Sequence, residues 1–405
     1  MIRVLFIEAS SGGVVGGSLT GLYHQIRGLD RSRFAPAIVL YEAKTIESDL
    51  RVLEVPVYHV DRRRLPKEHA LLGYEGYRKA KKTRAFRAAL SAGRQALRLL
   101  TEELPAALRL AQIIRTTKTD VVHLGNGVRA NFDGILACML TRTPMLCHVK
   151  GFEKYSARER WIAPRIDALV PMTQAVAQHC VASGIRAHRT AVIYDALDEQ
   201  GYHPKRESAE VRRELGVDGG PCAGVAGNIQ EWKGQLVLVE AMAKVRRELP
   251  SAQALIIGGV HKAGADYHRR LEHRIAELQL AGGVRVTGFR SDIADVMGAL
   301  DIVVHTSVRP EPFGRVILEG MLLGKPVIAS AAGGVPELIR DGETGFLVPP
   351  GNVEALAARL ILLMAQPELR HEIGQRARRW ALDEFSLERH VRLMSDLYEN
   401  LVRSH

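Results

Sequence analysis

Short apolar runs that alternate with amphipathic helical segments are the feature that most constrains the fold of this chain. Residues 2–7 form such a run, bounded by turn residues, and runs of this kind are typical of strands buried in a parallel sheet. Further strands are predicted at residues 37–41, 121–124, 145–149, 168–171, 191–194, 222–227, 253–257, 284–286 and 302–305, with helices between them. This alternation predicts an α/β fold with doubly wound parallel sheets.

The length of 405 residues predicts two or three domains at ~150 residues each. The periodicity lapses at residues 195–204, which indicates an interdomain linker. We therefore place an N-terminal domain at 1–198, a second domain at 199–383 and a terminal helix at 384–405 that packs back on the first domain.

Composition is that of a globular protein, with 46% hydrophobic and 25% charged residues. No apolar run approaches the ~20 residues that span a bilayer, and the first residues fit a strand better than a signal peptide. The cysteines show no C-x-x-C spacing, so they indicate neither a zinc site nor a disulfide framework and fit a reducing cytoplasm. They are Cys138, Cys147, Cys180 and Cys222.

Two glutamates, Glu311 and Glu319, stand eight residues apart with Pro312 between them. Proline is tolerated only at the start of a helix, so a helix is predicted at about residues 313–324. Its buried faces are predicted at positions 316, 320 and 323 and at 317, 321 and 324. Glu311 would then lie in the loop ahead of the helix, and Glu319 on the helix.

This arrangement suits a sugar nucleotide. A helix N-terminus offers unpaired N–H groups and a positive dipole end to phosphate. A carboxylate accepts two hydrogen bonds at once, which suits the vicinal diol of a ribose or a hexose. The same spacing also arises often by chance, and the alternative is a glutamate stabilised by the helix dipole beside a solvated loop glutamate.

Four motifs follow one another over more than forty residues. They are Glu311-Pro-Phe-Gly-Arg-Val-Ile-Leu-Glu319, Gly324-Lys-Pro-Val-Ile-Ala, Gly333-Gly-Val-Pro-Glu-Leu-Ile and Asp341-Gly-Glu-Thr-Gly-Phe-Leu-Val. This stretch resembles the nucleotide-sugar region of retaining glycosyltransferases of the GT-B fold, most closely family 4, the glycosyl transferases of group 1. The resemblance implies two Rossmann-like domains that face a cleft, with the acceptor side in the first and the nucleotide-sugar site in the second.

Lys233 follows the predicted strand 222–227 and precedes a predicted helix, where a point charge suits a diphosphate. A single lysine in a polar loop is otherwise merely solvated. The resemblance places it on the leaving diphosphate, with Glu319 on the ribose diol and Glu311 on hydroxyls of the donor sugar. Many family members carry arginine where this chain has Asn228, which weakens one phosphate contact unless Arg315 compensates.

The first domain offers fewer candidates. Residues 10–18 form a glycine-rich loop after the first strand, and Ser18 is a predicted N-cap. Such a loop cradles phosphate or is a plain tight turn. The resemblance favours Gly16 and Gly17 as contacts, and it matches His148 to a histidine that reaches toward the donor sugar. His123 is interpreted as a hydrogen-bonded structural histidine, and Lys150 and Asp133 are cleft candidates only.

The remaining candidates come from the resemblance alone. Loops that end strands of the second domain approach the nucleotide and its base through backbone groups. The predicted catalytic residues are Glu311, His148 and Lys233. The predicted substrate-binding residues are Gly16, Gly17, Gly227, Asn228, Lys233, Gly259, Phe289, Arg290, Phe313, Gly314, Arg315, Val316 and Glu319. No D-x-D sequence is present, so we expect neither a metal nor a cofactor beyond the nucleotide sugar as co-substrate.

The net charge of +11 is concentrated in one stretch. Residues 62–98 hold twelve Lys and Arg against two Glu, a net charge of +10. Residues 83–104 also form a basic amphipathic pattern. Either its apolar face covers its own domain, or the stretch contacts a polyanionic acceptor or an anionic membrane, where each basic residue contributes about 1 kcal/mol. Nucleic acid is not expected, because no recognised basic–aromatic module is present.

The predicted function is retaining transfer of a hexosyl group from a nucleoside-diphosphate sugar to a glycan, a lipid-linked or a small-molecule acceptor. A UDP sugar is favoured over a GDP sugar. We expect a cytoplasmic enzyme of polysaccharide biosynthesis that attaches to the inner face of a membrane. The alternatives are a sugar-nucleotide epimerase and a non-catalytic subunit that binds sugar nucleotides.

Overall fold

A computed structural model describes residues 1–9, 17–62, 93, 95–199, 201–217, 219–261 and 264–405. The chain divides into two compact units. The first comprises Met1–Pro171, His179–Val192 and Leu393–His405, and the second comprises Met172–Gln178 and Ile193–Arg392. The chain thus enters the second unit a few residues before the predicted boundary at 198. It returns to the first unit at Leu393, within the terminal helix predicted at 384–405.

The first unit is built on a parallel sheet of seven strands within the described ranges, in the order β3-β2-β1-β4-β5-β6-β7. These strands are β1 (Ile2–Glu8), β2 (Phe34–Leu40), β3 (Val57–His59), β4 (Val121–Leu124), β5 (Met145–Val149), β6 (Ala168–Pro171) and β7 (Arg189–Thr190). The strand predicted at 191–194 is wrong. Pairing with β6 is limited to Arg189 and Thr190 at the sheet edge, and from Ile193 the chain belongs to the second unit.

Helices cover this sheet because their apolar faces pack on it. They are α1 (Gly17–Gly28), α2 (Glu47–Val52), α3 (Leu104–Thr116), α4 (Gly127–Ala130), α5 (Phe132–Thr141) and α6 (Ala157–Ile162). The next helix, α7 (Gln174–Ala182), belongs to the second unit up to Gln178 and to the first unit from His179. A π-helical turn, Leu99–Glu103, precedes α3. Ser18 lies inside α1 rather than at its N-cap, because the helix already includes Gly17. The central strand β1 is buried from Val4 to Glu8, as its apolar run predicts.

The second unit has its own parallel sheet, in the order β10-β9-β8-β11-β12-β13. Its strands are β8 (Cys222–Ala226), β9 (Gln253–Ile257), β10 (Val284–Gly288), β11 (Ile302–His305), β12 (Val327–Ser330) and β13 (Phe346–Val348). The helices are α8 (Ser208–Leu215), α9 (Gln235–Glu248), α10 (Ala265–Glu277), α11 (Ile293–Gly298), α12 (Arg315–Leu322), α13 (Val335–Leu338), α14 (Val353–Ala365) and α15 (Pro367–Glu384). The last helix, α16 (Leu387–Arg403), begins in the second unit and belongs to the first from Leu393. The prediction of two doubly wound α/β sheets is confirmed.

Strand order in each sheet reverses beside its first strand. The reversal lies between β1 and β4 in the first unit and between β8 and β11 in the second. Ligands of such sheets bind beyond the carboxyl ends of the strands at this switch point, because the two connections leave in opposite directions and open a crevice. The loops after β8 and β11 therefore border this crevice in the second unit.

Helix α12 is shorter than predicted. It spans Arg315–Leu322 rather than residues 313–324, and its buried residues are Ile317, Leu318, Gly320, Met321 and Leu322. Val316, Leu323 and Gly324 are only partly buried, so the predicted faces are wrong at these positions. The helix stops because Gly324 takes a φ of +68°, a left-handed conformation that ends helices.

Several helix ends follow the sequence prediction. Asn352 caps α14 by accepting a hydrogen bond from Ala355 N at 2.9 Å, and α15 begins with Pro367. Ser386 precedes α16, and its Oγ accepts from Arg389 N at 3.4 Å. Within the described ranges, no helix has both the length and the apolar character needed to cross a membrane.

Most of the basic stretch, residues 63–92 and 94, lies outside the described residues. Its first residue, Arg62, forms an ion pair with the fully buried Asp133, so Asp133 is a structural residue and not a cleft candidate. At its other end, Leu97 is 48% and Leu100 is 63% exposed. The alternative in which the apolar face of residues 83–104 covers its own domain is therefore wrong for these two leucines.

Candidate active site

An ion pair joins the loops after β8 and β11. Lys233 Nζ donates to both carboxylate oxygens of Glu311, at 2.8 Å to Oε1 and 3.1 Å to Oε2. The two residues are 78 positions apart in sequence and lie at the switch point of the sheet. The structure thus brings together two of the three predicted catalytic residues.

The backbone around Lys233 holds its side chain in place. Lys233 ends a 3₁₀ turn, and Gly234 follows with a φ of +66°. A Cβ at Gly234 would lie 2.2 Å from the carbonyl oxygen of Thr306, so only glycine fits between the two loops. Thr306 Oγ1 donates to Lys233 O at 2.8 Å. A Cβ at Gly227 would lie 3.7 Å from Lys233 Cε, so this glycine backbone runs beside the lysine stem.

Glu311 is held by two further side chains that the sequence analysis did not include in the site. His305 Nε2 donates to Glu311 Oε2 at 2.6 Å, and Ser307 Oγ donates to the same oxygen at 2.8 Å. Both His305 and Ser307 are buried. The signal available in the sequence was their position at and just beyond the carboxyl end of β11, where ligand-binding residues collect.

These contacts keep Glu311 ionised. Burial raises the pKa of Glu311, but the hydrogen bond from His305 and the positive charges of His305 and Lys233 outweigh it. The net result is a pKa lowered to about 2. A carboxylate held in this way accepts hydrogen bonds and does not donate a proton at neutral pH.

The loop that carries Glu311 is held by the glycines of the third motif. Gly334 N donates to Glu311 O at 2.8 Å, and Gly333 has a φ of +68°. A Cβ at Gly333 would lie 2.2 Å from Glu311 O, and one at Gly334 would lie 2.2 Å from Pro312 O. Both positions therefore need glycine so that the two loops can touch.

Glu319 lies in a different electrostatic environment on α12. Part of the residue remains exposed, but burial of the rest raises the pKa of its carboxyl group. The charge of Arg315 and a hydrogen bond from Tyr202 oppose this increase. The pKa of Tyr202 is also raised, first by burial and then by the Glu319 charge. Tyr202 belongs to the predicted linker, and no motif singled it out. The acidic pair thus combines a firmly ionised Glu311 with a Glu319 that binds its proton more readily.

The start of α12 presents backbone rather than side chain. Phe313 is buried with its ring centroid 6.2 Å from that of Phe385, so its side chain is committed to packing. Gly314 is the N-cap of α12 with a φ of +96°, and the first turn of the helix begins at Arg315. The first N–H groups of a helix point out of its N-terminus, because no helical carbonyl precedes them. This terminus can accept an anion through N–H groups and the helix dipole.

The other predicted contacts of the second unit lie at neighbouring strand ends. Phe289 is 79% exposed, while the Arg290 guanidinium donates to Asp292 at 2.7 Å and Glu214 at 2.8 Å. The Arg290 side chain is thus occupied. Gly259 lies beside Phe289, since a Cβ on it would be 3.5 Å from Phe289 Cβ. The carbonyl of Asn228 accepts from Gln235 Nε2 at 3.0 Å.

Among the first-unit candidates, Gly16 lies outside the described residues and Gly17 is the first described residue of α1. His148 is buried near the end of β5, and its ring centroid lies 5.7 Å from that of His123. His123 Nδ1 and the Tyr398 hydroxyl form a hydrogen bond of 2.7 Å, which fits the interpretation of His123 as a hydrogen-bonded structural histidine.

The described part of the chain contains no group of three or more His, Cys, Asp or Glu side chains that could hold a metal ion. At this edge of its sheet the second unit presents Lys233, the carboxylates of Glu311 and Glu319, and the N-terminus of α12. Independence from a metal stays a prediction.

Two family models match the chain. A glycosyl transferase 4-like domain matches residues 16–196, and the glycosyl transferases group 1 model matches residues 207–380. The chain is 29% identical to EpsD of Bacillus subtilis over 72% of its own length and 79% of that protein. It is also 29% identical to the D-inositol 3-phosphate glycosyltransferase of Streptomyces bingchenggensis, over 61% of its own length and 56% of that enzyme.

The solved structures extend this similarity to nearly the full length. HepE of Anabaena in complex with UDP is 26% identical, with a TM-score of 0.79 over 99% of this chain and 100% of HepE. HepE in complex with UDP-glucose has a TM-score of 0.76 and covers both chains completely. Together with the two matched models, this similarity shows that the chain belongs to the glycosyl transferases of group 1 and is a glycosyltransferase of the GT-B fold.

Proposed function

We propose that this enzyme transfers a hexosyl group from a nucleoside-diphosphate sugar, with retention of configuration, and that UDP is the nucleotide. The observation that carries the proposal is the Lys233–Glu311 pair at the switch point, with His305 and Ser307 behind the carboxylate. The similarity to HepE, which was crystallised with UDP and with UDP-glucose, supports the choice of nucleotide.

Each group in the second unit has a role in this proposal. Lys233 and the first-turn N–H groups of α12 neutralise the leaving diphosphate, since preorganised charge at the leaving group is commonly the largest catalytic effect. Glu319 accepts hydrogen bonds from the ribose diol, and Glu311 from hydroxyls of the donor sugar. When the diphosphate binds, Lys233 shares its charge between phosphate and Glu311, while His305 and Ser307 keep Glu311 oriented.

The proposed chemistry needs no protein nucleophile. The bond from the anomeric carbon to the diphosphate oxygen breaks, and the acceptor hydroxyl oxygen bonds to that carbon on the same face of the sugar. The proton of the acceptor hydroxyl passes to the departing phosphate oxygen. His148, in the first unit, is proposed to contact the donor sugar.

Binding and turnover test this proposal in sequence. A thermal-shift series with UDP, GDP, UDP-glucose and GDP-mannose, with and without EDTA, should show the largest increase for a UDP ligand and no effect of EDTA, because a ligand that binds only the folded state raises its stability. Turnover with an acceptor, followed by NMR of the product, should give the anomeric configuration of the donor. An inverted product would refute retention, and stabilisation by GDP ligands alone would refute UDP.

The same incubations separate the alternatives. An epimerase would convert the donor sugar without an acceptor, so a second sugar would accumulate in the acceptor-free sample. A non-catalytic subunit would bind UDP and turn over no donor in a broad acceptor screen. The Glu311–Glu319 motif and its surroundings weigh against an epimerase, and the presence of a candidate residue at each phosphate and sugar position weighs against a non-catalytic subunit.

We also propose that the enzyme works in the cytoplasm at the inner face of a membrane, on a glycan or a lipid-linked acceptor. The charge of +10 over residues 62–98 and the exposed Leu97 and Leu100 support this proposal. Sedimentation with phosphatidylglycerol vesicles should fall for Leu97→Asp/Leu100→Asp. Unchanged sedimentation of that variant and of Arg/Lys-to-Glu variants within 62–98 would rule the contact out.

A further inference from the structure

A buried hydrogen-bonded chain in the first unit involves the terminal helix. Gln25 Nε2 donates to the hydroxyl of Tyr398 at 2.6 Å, and the same hydroxyl lies 2.7 Å from His123 Nδ1. Gln25, His123 and Tyr398 are all almost completely buried. Buried polar groups are costly unless they are satisfied, and a satisfied network fixes the orientation of its members.

The donors and acceptors of this chain specify the protonation of His123. The Tyr398 hydroxyl has one proton, and burial raises its pKa well above the ordinary value, so the phenol stays protonated. The hydroxyl oxygen accepts from Gln25, and its own proton is available for donation to His123 Nδ1, the direction that satisfies both groups. A neutral His123 then carries its ring proton on Nε2.

The ring of His123 lies against His148. His123 pairs with Leu146 in the β4–β5 register, and His148 is two residues further along β5, on the same face of the sheet. The ring centroids of His123 and His148 are 5.7 Å apart. On the other side, the ring centroid of Phe6 lies 5.1 Å from that of His123, and Phe6 meets Tyr398 edge to face at 6.3 Å.

We propose that Tyr398 is a positioning residue for the glycosyl transfer, which acts through His123 on the orientation of His148. This inference rests on the proposed role of His148 at the donor sugar. The terminal helix is then more than a structural cover for the sheet. Its tyrosine hydroxyl fixes the His123 ring, and that ring limits how His148 can turn.

Tyr398→Phe tests this inference with little change in packing, because it removes only the hydroxyl. We expect turnover of UDP-glucose to fall roughly tenfold, the lower end of the losses found when partners that orient metal-bound histidines are removed. We expect an unchanged KM for UDP-glucose and an unchanged thermal shift with UDP. Tyr155→Phe is the matched control, since it removes another buried hydroxyl of the same unit, 3.7 Å from Cys180 Sγ, and should leave turnover unaltered.

The double variant Tyr398→Phe/His148→Ala separates positioning from general destabilisation. If Tyr398 acts through His148, the double variant turns over UDP-glucose at the rate of His148→Ala alone. Independent, multiplying losses would overturn the inference, as would unchanged turnover of Tyr398→Phe. Full turnover of His148→Ala would instead defeat the proposed role of His148 itself.

A spectroscopic measurement covers the case in which a variant does not fold or UDP-glucose is not a donor. ¹⁵N-histidine NMR of the wild-type protein, with His123 assigned from His123→Gln, should show Nε2 protonated and Nδ1 unprotonated. A proton on His123 Nδ1 would contradict the proposed chain whatever the donor is. Loss of the Nε2–H form in Tyr398→Phe would support it independently of activity.

Discussion

His305 Nε2 lies 2.6 Å from Glu311 Oε2, so a buried histidine at the end of a strand orients the first carboxylate of the acidic pair. His305→Ala leaves that carboxylate without one of its donors. We expect a loss of about 1–3 kcal/mol of folding stability and a roughly tenfold fall in turnover. Urea unfolding and steady-state kinetics measure the two effects.

His268→Ala is the control for that substitution. His268 lies 3.6 Å from Glu272 in a helix-surface pair and should change stability by less than ~0.5 kcal/mol. His305→Gln, which keeps an N–H donor, should recover part of the activity. Equal behaviour of His305→Ala and His268→Ala would show that His305 does not position Glu311.

Lys233→Ala removes the cation of the site. Since charged donors at the transition state each contribute roughly 2–4 kcal/mol, turnover should fall by about two orders of magnitude or more. The thermal shift with UDP should also decrease. Lys244→Ala provides the comparison, because Lys244 forms a surface pair with Glu354 and should retain wild-type turnover. Near-normal turnover of Lys233→Ala would remove this lysine from the mechanism.

Gly333→Ala tests the contact between the third motif and the Glu311 loop. The variant combines a φ of +68° with a Cβ only 2.2 Å from Glu311 O. Gly342 has a similar φ of +77°, but a Cβ added there would meet no heavy atom within 4 Å. Gly342→Ala should therefore cost only the left-handed strain of about 1–2 kcal/mol.

Gly333→Ala should cost about 1–3 kcal/mol more than Gly342→Ala, because backbone must move as well. It should also lower turnover, since the displaced backbone belongs to Glu311. Denaturant unfolding of both variants gives the difference. Equal losses of stability would mean that the two loops do not need this close approach.

The two carboxylates should give opposite pH dependence of stability. The pKa of Glu311 is lowered from 4.5 to about 2, so its stabilising contribution is complete above about pH 4.5 and is lost as the pH falls toward 2. The contribution is about 3 kcal/mol at neutral pH. The stability difference between wild type and Glu311→Gln should therefore shrink on acidification.

Glu319 has a raised pKa, mainly because of burial, so its ionised form destabilises the folded chain. The penalty grows as the pH rises above the ordinary carboxyl pKa and disappears on acidification. The folding stability of Glu319→Gln should therefore increase relative to that of the wild type as the pH rises. Thermal unfolding of Glu311→Gln, Glu319→Gln and the wild type from pH 3 to pH 7 measures these differences. If the stability of both variants changed with pH in the same way, the two glutamates would not lie in different electrostatic environments.

The doubly wound fold could be predicted because apolar runs are local properties of the sequence. Lys233 and Glu311 were singled out through the family resemblance, but their contact with each other was not predicted, because it joins loops 78 positions apart. His305 and Ser307 lie at the end of a predicted strand but were not assigned to the site, because the sequence does not show which carboxylate they contact. Tyr202 could not be assigned because it reaches Glu319 from a linker without periodicity. The strand predicted at 191–194 failed because β7 already ends at Thr190 and the chain passes into the second unit at Ile193.

A crystal structure of the chain with UDP tests the central claim most directly. We predict a diphosphate oxygen within about 3 Å of Lys233 Nζ and of a first-turn N–H group of α12, with the ribose hydroxyls at a similar distance from Glu319. UDP bound away from Lys233, Glu311 and Glu319 would contradict the claim that the second unit holds the donor through this lysine and its acidic pair.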